Sequence, residues 1–432
     1  MKRFYAMLAV VALVFVSSMA FAADVTIGGS LDVRSRNFND LDLIKNNGAG
    51  NQVDTQERVR LDVNVKAGDV KGKVSIENDW DTWGRLEQPQ ANKANNGTSG
   101  ALDLREAWML FPVPNTPIYV KGGHMLLQLG QGWWFRDMKY GSDAWVVYGD
   151  IDALHLGFVD VKVHEGLTGS SDDIDAYVLL GVLKIDENNK IGIDITDAYD
   201  RRAGISDAWA GPNPFKKIDL QNIGLNYTGK LGPVNLMAEL DFQMGKASAD
   251  GVVNTNDVKF KGNQIVVQGN VALEPVTVNF TLARGSGNKI GDTDVKQYVP
   301  ILDTDMHYTL LYEYKIANKG AVDLLHGGTQ GGTSLGFANT TAISAGVMFA
   351  ATKNLSIGGD LWFLQATEKV ADVTSADPND TTNELGTEVD LKLNWKLADN
   401  LTWNWTLGYL DPGKGLGKDA SMGAQGVLSM KF

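Results

Sequence analysis

The chain has 432 residues with 39 basic and 52 acidic side chains, a formal net charge of −13 and no cysteine. The acidic balance argues against nucleic acid as a partner. The lack of cysteine excludes disulfides, thiolate metal sites and covalently attached c-type haem. Because the five histidines are scattered without metal-ligand spacing, the sequence predicts neither a bound metal nor a cofactor.

The first 22 residues have the organisation of a secretory signal peptide. A basic start precedes the apolar run Ala6 to Val16, and Ala20-Phe21-Ala22 is a small-x-small cleavage site. We therefore expect residues 1–22 to be removed and residues 23–432 to form a single domain. No later apolar run is long enough for a transmembrane helix, so the mature chain is either soluble or crosses a membrane as a β-barrel.

Beyond residue 22 the chain alternates apolar and polar residues, as strands with one apolar and one polar face do. The first such strand is Asp24 to Arg36. In the second strand the apolar residues are Val59, Leu61, Val63 and Val65, and the polar residues between them are Arg58, Arg60, Asp62 and Asn64. A tight turn at Ala67-Gly68-Asp69 leads into the strand Val70 to Trp80, and a long polar loop follows. Short and long connections therefore alternate from the start.

The segment Gln131 to Tyr140 is unusually aromatic and carries Trp133, Trp134 and Arg136. It is a candidate constriction loop, or a platform on which sugars stack, since aromatic faces pack on sugar rings. The other interpretation is a packed extracellular cap or part of an interfacial aromatic girdle.

Further along, alternation predicts a strand from Tyr308 to Ile316, and the weakest strand candidates are Ala144 to Tyr148 and Ala321 to Leu325. The strongest pattern is the C-terminal stretch Thr387 to Phe432, which gives three strands. In it, Leu391, Leu393 and Trp403 are among the apolar residues expected to face lipid. We predict an all-β transmembrane antiparallel up-and-down β-barrel of about 18 strands, within a range of about 16 to 20, with short periplasmic turns and long extracellular loops.

A barrel of this width encloses water, so its selectivity depends on the charges that line the lumen. The predicted pore-lining residues are Arg58, Arg60, Lys71, Lys73, Glu77, Asp79, Asp103 and Arg105. Opposed basic and acidic groups would orient a dipolar or anionic solute; alternatively, they merely solvate the interior and pair with one another. Glu106 falls on the apolar face of its strand, so either a bulge turns it inward or the register is shifted.

Two resemblances point to the same class. The final strand, with Leu428, Met430 and the terminal Phe432, resembles the closing strand of bacterial outer-membrane barrels, which the barrel-assembly machinery recognises. The motifs Thr26-Ile27-Gly28-Gly29, Arg58-Val59-Arg60-Leu61 and Leu104-Arg105-Glu106-Ala107-Trp108 resemble those of alginate-export-like and related anaerobe porins, except that Trp108 replaces the usual Tyr. The resemblance implies a passive porin and fixes no substrate.

We therefore predict an outer-membrane porin for passive diffusion of small hydrophilic solutes or ions, surrounded by outer-membrane lipid and lipopolysaccharide. The sequence has no convincing nucleophile–base pair, so we do not expect an enzyme. Two alternatives are a structural barrel that sheathes a partner, as in a porin–cytochrome conduit, and a secreted soluble all-β binding protein. Whether the chain acts alone or as a homo-oligomer is left open.

Overall fold

The computed structural model describes residues 23–45, 50–83, 102–165, 173–201, 206–207, 211–212, 215–249, 256–289, 291–302, 307–316 and 336–432. Within these ranges helix is confined to the single turn Tyr312–Ile316. No helix in the described ranges is long and apolar enough to cross a membrane. The cleavage site and the weak strand candidate Ala321 to Leu325 lie outside the described residues.

Eighteen antiparallel strands make up the barrel. In chain order they are β1 (Ala23–Asn39), β2 (Gln52–Ala67), β3 (Val70–Thr82), β4 (Asp103–Pro112), β5 (Ile118–Gln128), β6 (Phe135–Ile151), β7 (Leu154–His164), β8 (Ile174–Lys184), β9 (Lys190–Asp200), β10 (Phe215–Leu231), β11 (Val234–Ala249), β12 (Asn263–Leu273), β13 (Val276–Gly285), β14 (Thr340–Ala350), β15 (Leu355–Ala371), β16 (Thr381–Ala398), β17 (Leu401–Pro412) and β18 (Ser421–Lys431). Four two-residue strands lie outside this series: Ser206–Asp207, Gly211–Pro212, Val258–Lys259 and Ile301–Leu302.

Each strand pairs with its neighbour in sequence, and the last pairs with the first. At this seam Leu31 lies opposite Met430, and Val33 lies opposite Leu428. The main chain of the terminal Phe432 completes the seam, because Gly29 N donates to Phe432 O at 2.9 Å and Phe432 N donates to Gly29 O at 3.2 Å. A closed sheet leaves no unpaired edge in hydrocarbon. The predicted barrel and its number of strands are confirmed.

Large apolar side chains at alternate strand positions are exposed on the outer face. They include Ile27, Met109, Trp145, Leu179, Ile193, Phe242, Leu282, Val347, Phe363, Leu391 and Leu407. The polar residues between them point inward, as the alternation predicts. An apolar exterior with a polar interior is the arrangement of a barrel that spans a lipid bilayer.

A β-bulge in β4 explains the position of Glu106. Ser75 of β3 lies opposite Glu106, whereas the next residue, Ile76, lies opposite Leu104. Arg105 is therefore the extra residue, and the bulge reverses the alternation on either side of it. Leu104 stays on the outer face while Glu106 is buried inside the barrel. The bulge, one of the two alternatives that the sequence left open, is the one found.

Three predicted boundaries are wrong. Tyr308 to Ile316 is not a barrel strand but part of a segment that folds into the lumen. There, residues on both sides of the alternation are buried, so the pattern does not distinguish it from a strand. The aromatic loop ends earlier than expected, because β6 begins at Phe135, and Ala144 to Tyr148 is the middle of that same strand.

The buried apolar residues lie inside the barrel and form two clusters. One gathers around Trp134 and Tyr298 and includes Met125, Val161 and Leu220. The other gathers around Phe337 and Leu311 and includes Phe38, Trp133, Trp362 and Leu410. Strand residues and segments between strands contribute to both clusters, so the lumen is partly filled by the chain itself.

Candidate functional site

One side of the lumen, formed by β1 to β5, carries alternating basic and acidic side chains. Arg58 pairs with Asp32 at 3.2 Å, and Arg60 Nε lies 2.5 Å from Glu77 Oε2. Arg105 Nε approaches the same Glu77 oxygen at 3.6 Å. These groups form a chain of ion pairs along the wall, which we call the paired wall.

The paired wall includes further ion pairs on neighbouring strands. Lys73 Nζ lies 3.3 Å from Asp62 and 2.5 Å from Glu106, and Lys139 Nζ lies 3.1 Å from Asp79. Trp80 stacks on two arginines of this side of the lumen: the guanidinium carbons of Arg34 and Arg58 lie 3.9 Å and 4.3 Å from the centroid of its ring. Such stacking holds planar cations in place while their edges stay available to other partners.

The structure places the predicted pore-lining residues as follows. Arg58, Arg60, Lys73, Glu77, Asp79 and Arg105 take part in the paired wall. Asp103 lies opposite Glu77 and so shares its lumen face. Lys71 lies on the same face nearer the periplasmic end, opposite Leu110, and is exposed. The predicted residues thus form one group on neighbouring strands.

Three other strands of the barrel carry buried acidic side chains on their lumen face. Asp194 of β9, Glu239 and Asp241 of β11, and Glu388 and Asp390 of β16 are all buried. Asp241 accepts hydrogen bonds from Asn222 Nδ2 at 2.9 Å and Gln264 Nε2 at 2.8 Å. Among the described residues none of these five carboxylates pairs with a lysine or arginine within 4.0 Å. Buried acidic side chains without a basic partner are therefore concentrated on these three strands.

The connection between β5 and β6, residues 129–134, enters the lumen and ends against β11. Glu239 Oε1 accepts hydrogen bonds from Trp133 N at 2.9 Å and Trp134 N at 2.8 Å, and its Oε2 accepts one from Gln131 N. β11 is five strands away from β6, so this first inward segment spans part of the lumen. Gly130 allows the contact: its φ is +52°, and a Cβ there would lie 2.6 Å from Glu239 Oε2.

Trp133 and Trp134 have different surroundings, and both are buried. Trp134 Nε1 donates to Thr196 Oγ1 at 3.2 Å, and its ring meets Tyr298 edge to face. Trp133 Nε1 donates to Gln268 Oε1 at 3.3 Å. Arg136, the third residue predicted for this loop, lies on β6 and donates to Gln128 Oε1 at 2.7 Å. The two tryptophans, but not Arg136, therefore belong to the inward segment.

A second inward segment, residues 307–316, lies between β13 and β14 and contacts β16. Glu388 Oε1 accepts from Leu311 N at 2.7 Å, and Glu388 Oε2 accepts from Tyr312 N at 2.7 Å. Asp390 Oδ2 accepts from Leu310 N at 3.3 Å. The arrangement repeats that of Glu239, with a buried wall carboxylate that binds successive main-chain N–H groups.

Lys315, at the end of the second inward segment, approaches the paired wall. Its Nζ donates to Gln52 Oε1 at 3.0 Å and lies over the rings of Phe38 and Tyr314. Burial and the nearby guanidinium groups of Arg36 and Arg34 lower the pKa of Lys315 to about 7, whereas the Asp54 carboxylate acts in the opposite direction. This ammonium group therefore loses its proton within the physiological range.

Sequence reasoning missed the carboxylates that hold the inward segments. Glu239 and Asp241, and again Glu388 and Asp390, form a Glu-x-Asp pair on the polar face of a strand. The repetition of this pair on two strands is the signal that the sequence offers. Within the described residues no three His, Cys, Asp or Glu side chains are arranged to hold a metal ion.

A closed 18-stranded barrel with an apolar outer face and a polar lumen has the architecture of an outer-membrane β-barrel. The crystal structure of Pseudomonas aeruginosa OccK9 (OpdG) is similar, with a TM-score of 0.57 and 11% sequence identity over 95% of this chain and 98% of that one. P. aeruginosa OccK2 (OpdF) in complex with glucuronate gives 0.55 and 10%, covering 95% of this chain and 96% of that one. P. aeruginosa OpdK with vanillate gives 0.55 and 10%, covering 94% and 98%.

At these identities the likeness shows the fold, an 18-stranded barrel of the kind formed by outer-membrane porins. These neighbours are OccK and OpdK porins rather than the alginate-export-like families that the N-terminal motifs resemble. No protein-family model matches the chain, and no curated protein matches it significantly.

Proposed function

We propose that this protein is an outer-membrane channel through which small hydrophilic solutes diffuse passively. One observation carries the proposal: a closed barrel has an apolar outer face and a charged lumen, and two segments fixed inside the lumen narrow it. An 18-stranded barrel is too wide for wall side chains alone to fill, so a water-filled path remains beside the inward segments.

For the class of solute, we propose small molecules that carry a carboxylate or a similar anionic group. Arg58, Arg60, Lys73 and Arg105 line one side, and a carboxylate that passes can exchange with Glu77 or Glu106 as the partner of these cations. The neighbouring barrels OccK2 and OpdK were determined with glucuronate and with vanillate, and both of these ligands are carboxylates.

The test is ion conduction by the purified, folded barrel in a planar bilayer. We expect discrete current steps, and a barrel that never conducts would overturn the proposal. We also expect the triple variant R58Q/R60Q/R105Q to shift the reversal potential in a salt gradient towards cations, because Asp32 and Glu77 would then lack partners. The variant K353Q, which removes a positive charge in a periplasmic turn, is the control and should conduct as wild type does.

The alternatives from the sequence meet specific obstacles. A partner threaded through the barrel would have to displace both inward segments from Glu239 and Glu388. A soluble protein would expose the apolar outer face to water. Kinship with alginate-export-like porins, recognition by the assembly machinery through Leu428, Met430 and Phe432, contact with lipopolysaccharide and oligomerisation remain predictions. The proposed role is that of a channel and involves no catalysis.

A further inference from the structure

The two inward segments are held by the same device. In each case a glutamate on the lumen face of a strand accepts hydrogen bonds from successive main-chain N–H groups of a segment, as Glu239 does for Trp133 and Trp134 and Glu388 does for Leu311 and Tyr312. The aspartate two residues later lies on the same face and is also buried. We call Glu239 and Glu388 the anchor carboxylates.

The anchor carboxylates and the segments depend on each other. The N–H groups that they bind have no strand partner, since they lie in irregular segments between strands. A buried main-chain N–H group that lacks an acceptor is costly. Conversely, neither anchor has an ion pair with a lysine or arginine in the described part of the chain, so these N–H groups are what satisfies its buried carboxyl oxygens. Removing either partner leaves the other unsatisfied.

The two segments also support each other inside the barrel. The ring of Trp133, in the first segment, lies 4.7 Å from that of Phe337 and 6.3 Å from that of Tyr308, centroid to centroid. Tyr308 and Phe337 are stacked at 4.3 Å, and Tyr308 packs on Trp362 of β15 at 5.2 Å. The segments anchored on β11 and β16 therefore meet in one aromatic cluster and form a continuous partition across part of the lumen.

We propose that Glu239 and Glu388 are positioning residues that together set the size limit of the channel. Each anchor fixes one half of the partition, and the contact through Trp133 couples the halves. The loss of either anchor therefore loosens both. The inference rests on the proposed function, since a size limit presupposes that solutes cross the lumen. In this proposal the size limit depends on the two wall residues that hold the segments, and not only on the segments themselves.

The test is the swelling of proteoliposomes in neutral sugars of increasing size. Because these sugars are uncharged, their rate of entry depends on the width of the channel and not on its charge. The variants are E239Q, E388Q and the double variant. Gln keeps one acceptor oxygen but presents an amide donor to an N–H group, so the segment is released. We expect each single variant to admit sugars that wild type excludes. Because the halves are coupled, we expect the double variant to admit little more than either single one.

The matched control is D399N, which removes a carboxylate that pairs with Lys396 in a turn between strands, outside the lumen and away from both segments. It should leave the size limit for sugars unchanged. For a variant that does not reach the heat-modifiable folded form, E239D or E388D replaces it: the carboxyl group is kept, but the shorter side chain retracts from the segment, and the size limit should again rise.

A rescue experiment separates positioning from a general loosening of the barrel. Gln131 Nε2 donates to Thr228 Oγ1 at 2.7 Å, so cysteines at these two sites can be joined by a short bis-maleimide. In the E239Q/Q131C/T228C protein, cross-linking should restore the wild-type size limit, and the chain has no other cysteine to interfere.

The outcomes are distinct. Folded single variants with the wild-type size limit, or a size limit that cross-linking does not restore, would overturn the positioning role. If the size limit of the double variant rose by the sum of the rises in the two single variants, the coupling between the segments would be overturned. Wild-type liposomes that do not swell even in the smallest sugar would instead count against the proposed function.

Discussion

Lys73 Nζ and Glu106 Oε1 lie 2.5 Å apart across β3 and β4, and Glu106 Oε2 accepts from Trp108 Nε1 at 2.9 Å. The bulge at Arg105 brings this about, because it turns Glu106 from the lipid side to the lumen. The side chain of Glu106 is 6% exposed and that of Lys73 is 19% exposed, so solvent screens the pair only weakly. The contact thus belongs to the lumen, where we expect it to contribute to stability and to the selectivity of the proposed channel.

The variant E106Q tests this pair. It removes one negative charge from the paired wall and keeps an acceptor for Trp108, while Lys73 retains Asp62 at 3.3 Å. We expect the free energy of unfolding to fall by about 2 kcal/mol, the size of a hydrogen bond to a charged group. We also expect the reversal potential in a salt gradient to shift towards anions.

The control for E106Q is D399N. Asp399 is in a periplasmic turn and pairs with Lys396 at 2.7 Å outside the lumen, so it changes the net charge equally. Its reversal potential should equal that of wild type. An E106Q channel with the selectivity of D399N would mean that the permeating ions do not sense the paired wall.

We expect Lys315 to make the selectivity of the proposed channel depend on pH. Its pKa is lowered to about 7, so the ammonium charge is present below that pH and lost above it. The charged groups that act on it are Arg36 and Arg34, which disfavour its charge, and Asp54, which favours it. We expect anion selectivity, measured by reversal potential, to decrease as the pH rises from one unit below to one unit above about 7.

The variants K315R and K315M separate this titration from that of other groups. Arg remains protonated at every pH in the experiment, so K315R should keep its anion selectivity as the pH rises. K315M carries no charge and should match the high-pH selectivity of wild type throughout. If K315R retained the full pH response of wild type, another group would be responsible.

The sequence predicts the barrel well because lipid imposes the pattern. Residues such as Leu391 and Trp403 must be apolar where they meet hydrocarbon, while the lumen tolerates polar side chains, so alternation appears along every strand. The bulge at Arg105 could be foreseen for the same reason, since a carboxylate at position 106 is costly on the lipid face. Strand type and number follow from this local rule.

The inward segments could not be predicted in the same way. Tyr308 to Ile316 alternates as a strand does, yet both sets of side chains are buried among lumen residues, and tertiary contacts override the pattern. Glu239 and Glu388 look like ordinary members of a polar face. Their role depends on which segment lies opposite them, and that contact spans more than a hundred residues for Glu239 and more than seventy for Glu388.

Substitution of Phe432 tests whether its side chain is recognised during assembly or stabilises the final barrel. Its main chain pairs with Gly29, and its ring lies over Gly29, where a Cβ would come within 2.9 Å of Phe432 Cζ. F432A keeps the main-chain bonds and removes a ring that is 59% exposed. We expect less folded barrel in the outer membrane of cells but nearly unchanged refolding from urea into lipid vesicles.

M422A is the matched control for F432A, since Met422 is similarly exposed but lies at the other end of β18, the strand that Phe432 follows. It should leave the cellular yield unchanged. Equal losses in cells and in vesicles for F432A would show that the ring stabilises the barrel and is not a signal for assembly.

Leu391 and Asn394 on β16 test the assignment of the two faces. Leu391 is 54% exposed on the outer face, opposite Leu407, whereas Asn394 lies on the lumen face opposite Asn404. An arginine on the lipid face near the middle of the bilayer costs about 2–4 kcal/mol, and one in the lumen costs little. We expect L391R to lower the free energy of unfolding in lipid vesicles by that amount and N394R to leave it nearly unchanged. The measurement is urea unfolding followed by tryptophan fluorescence, with heat-modifiable migration to establish that each variant starts folded. The assignment would be wrong if the two variants lost equal free energy of unfolding, or if N394R lost more. Leu391 would then face a dry protein interior, and the side of β16 that carries Asn394 would not face a water-filled lumen.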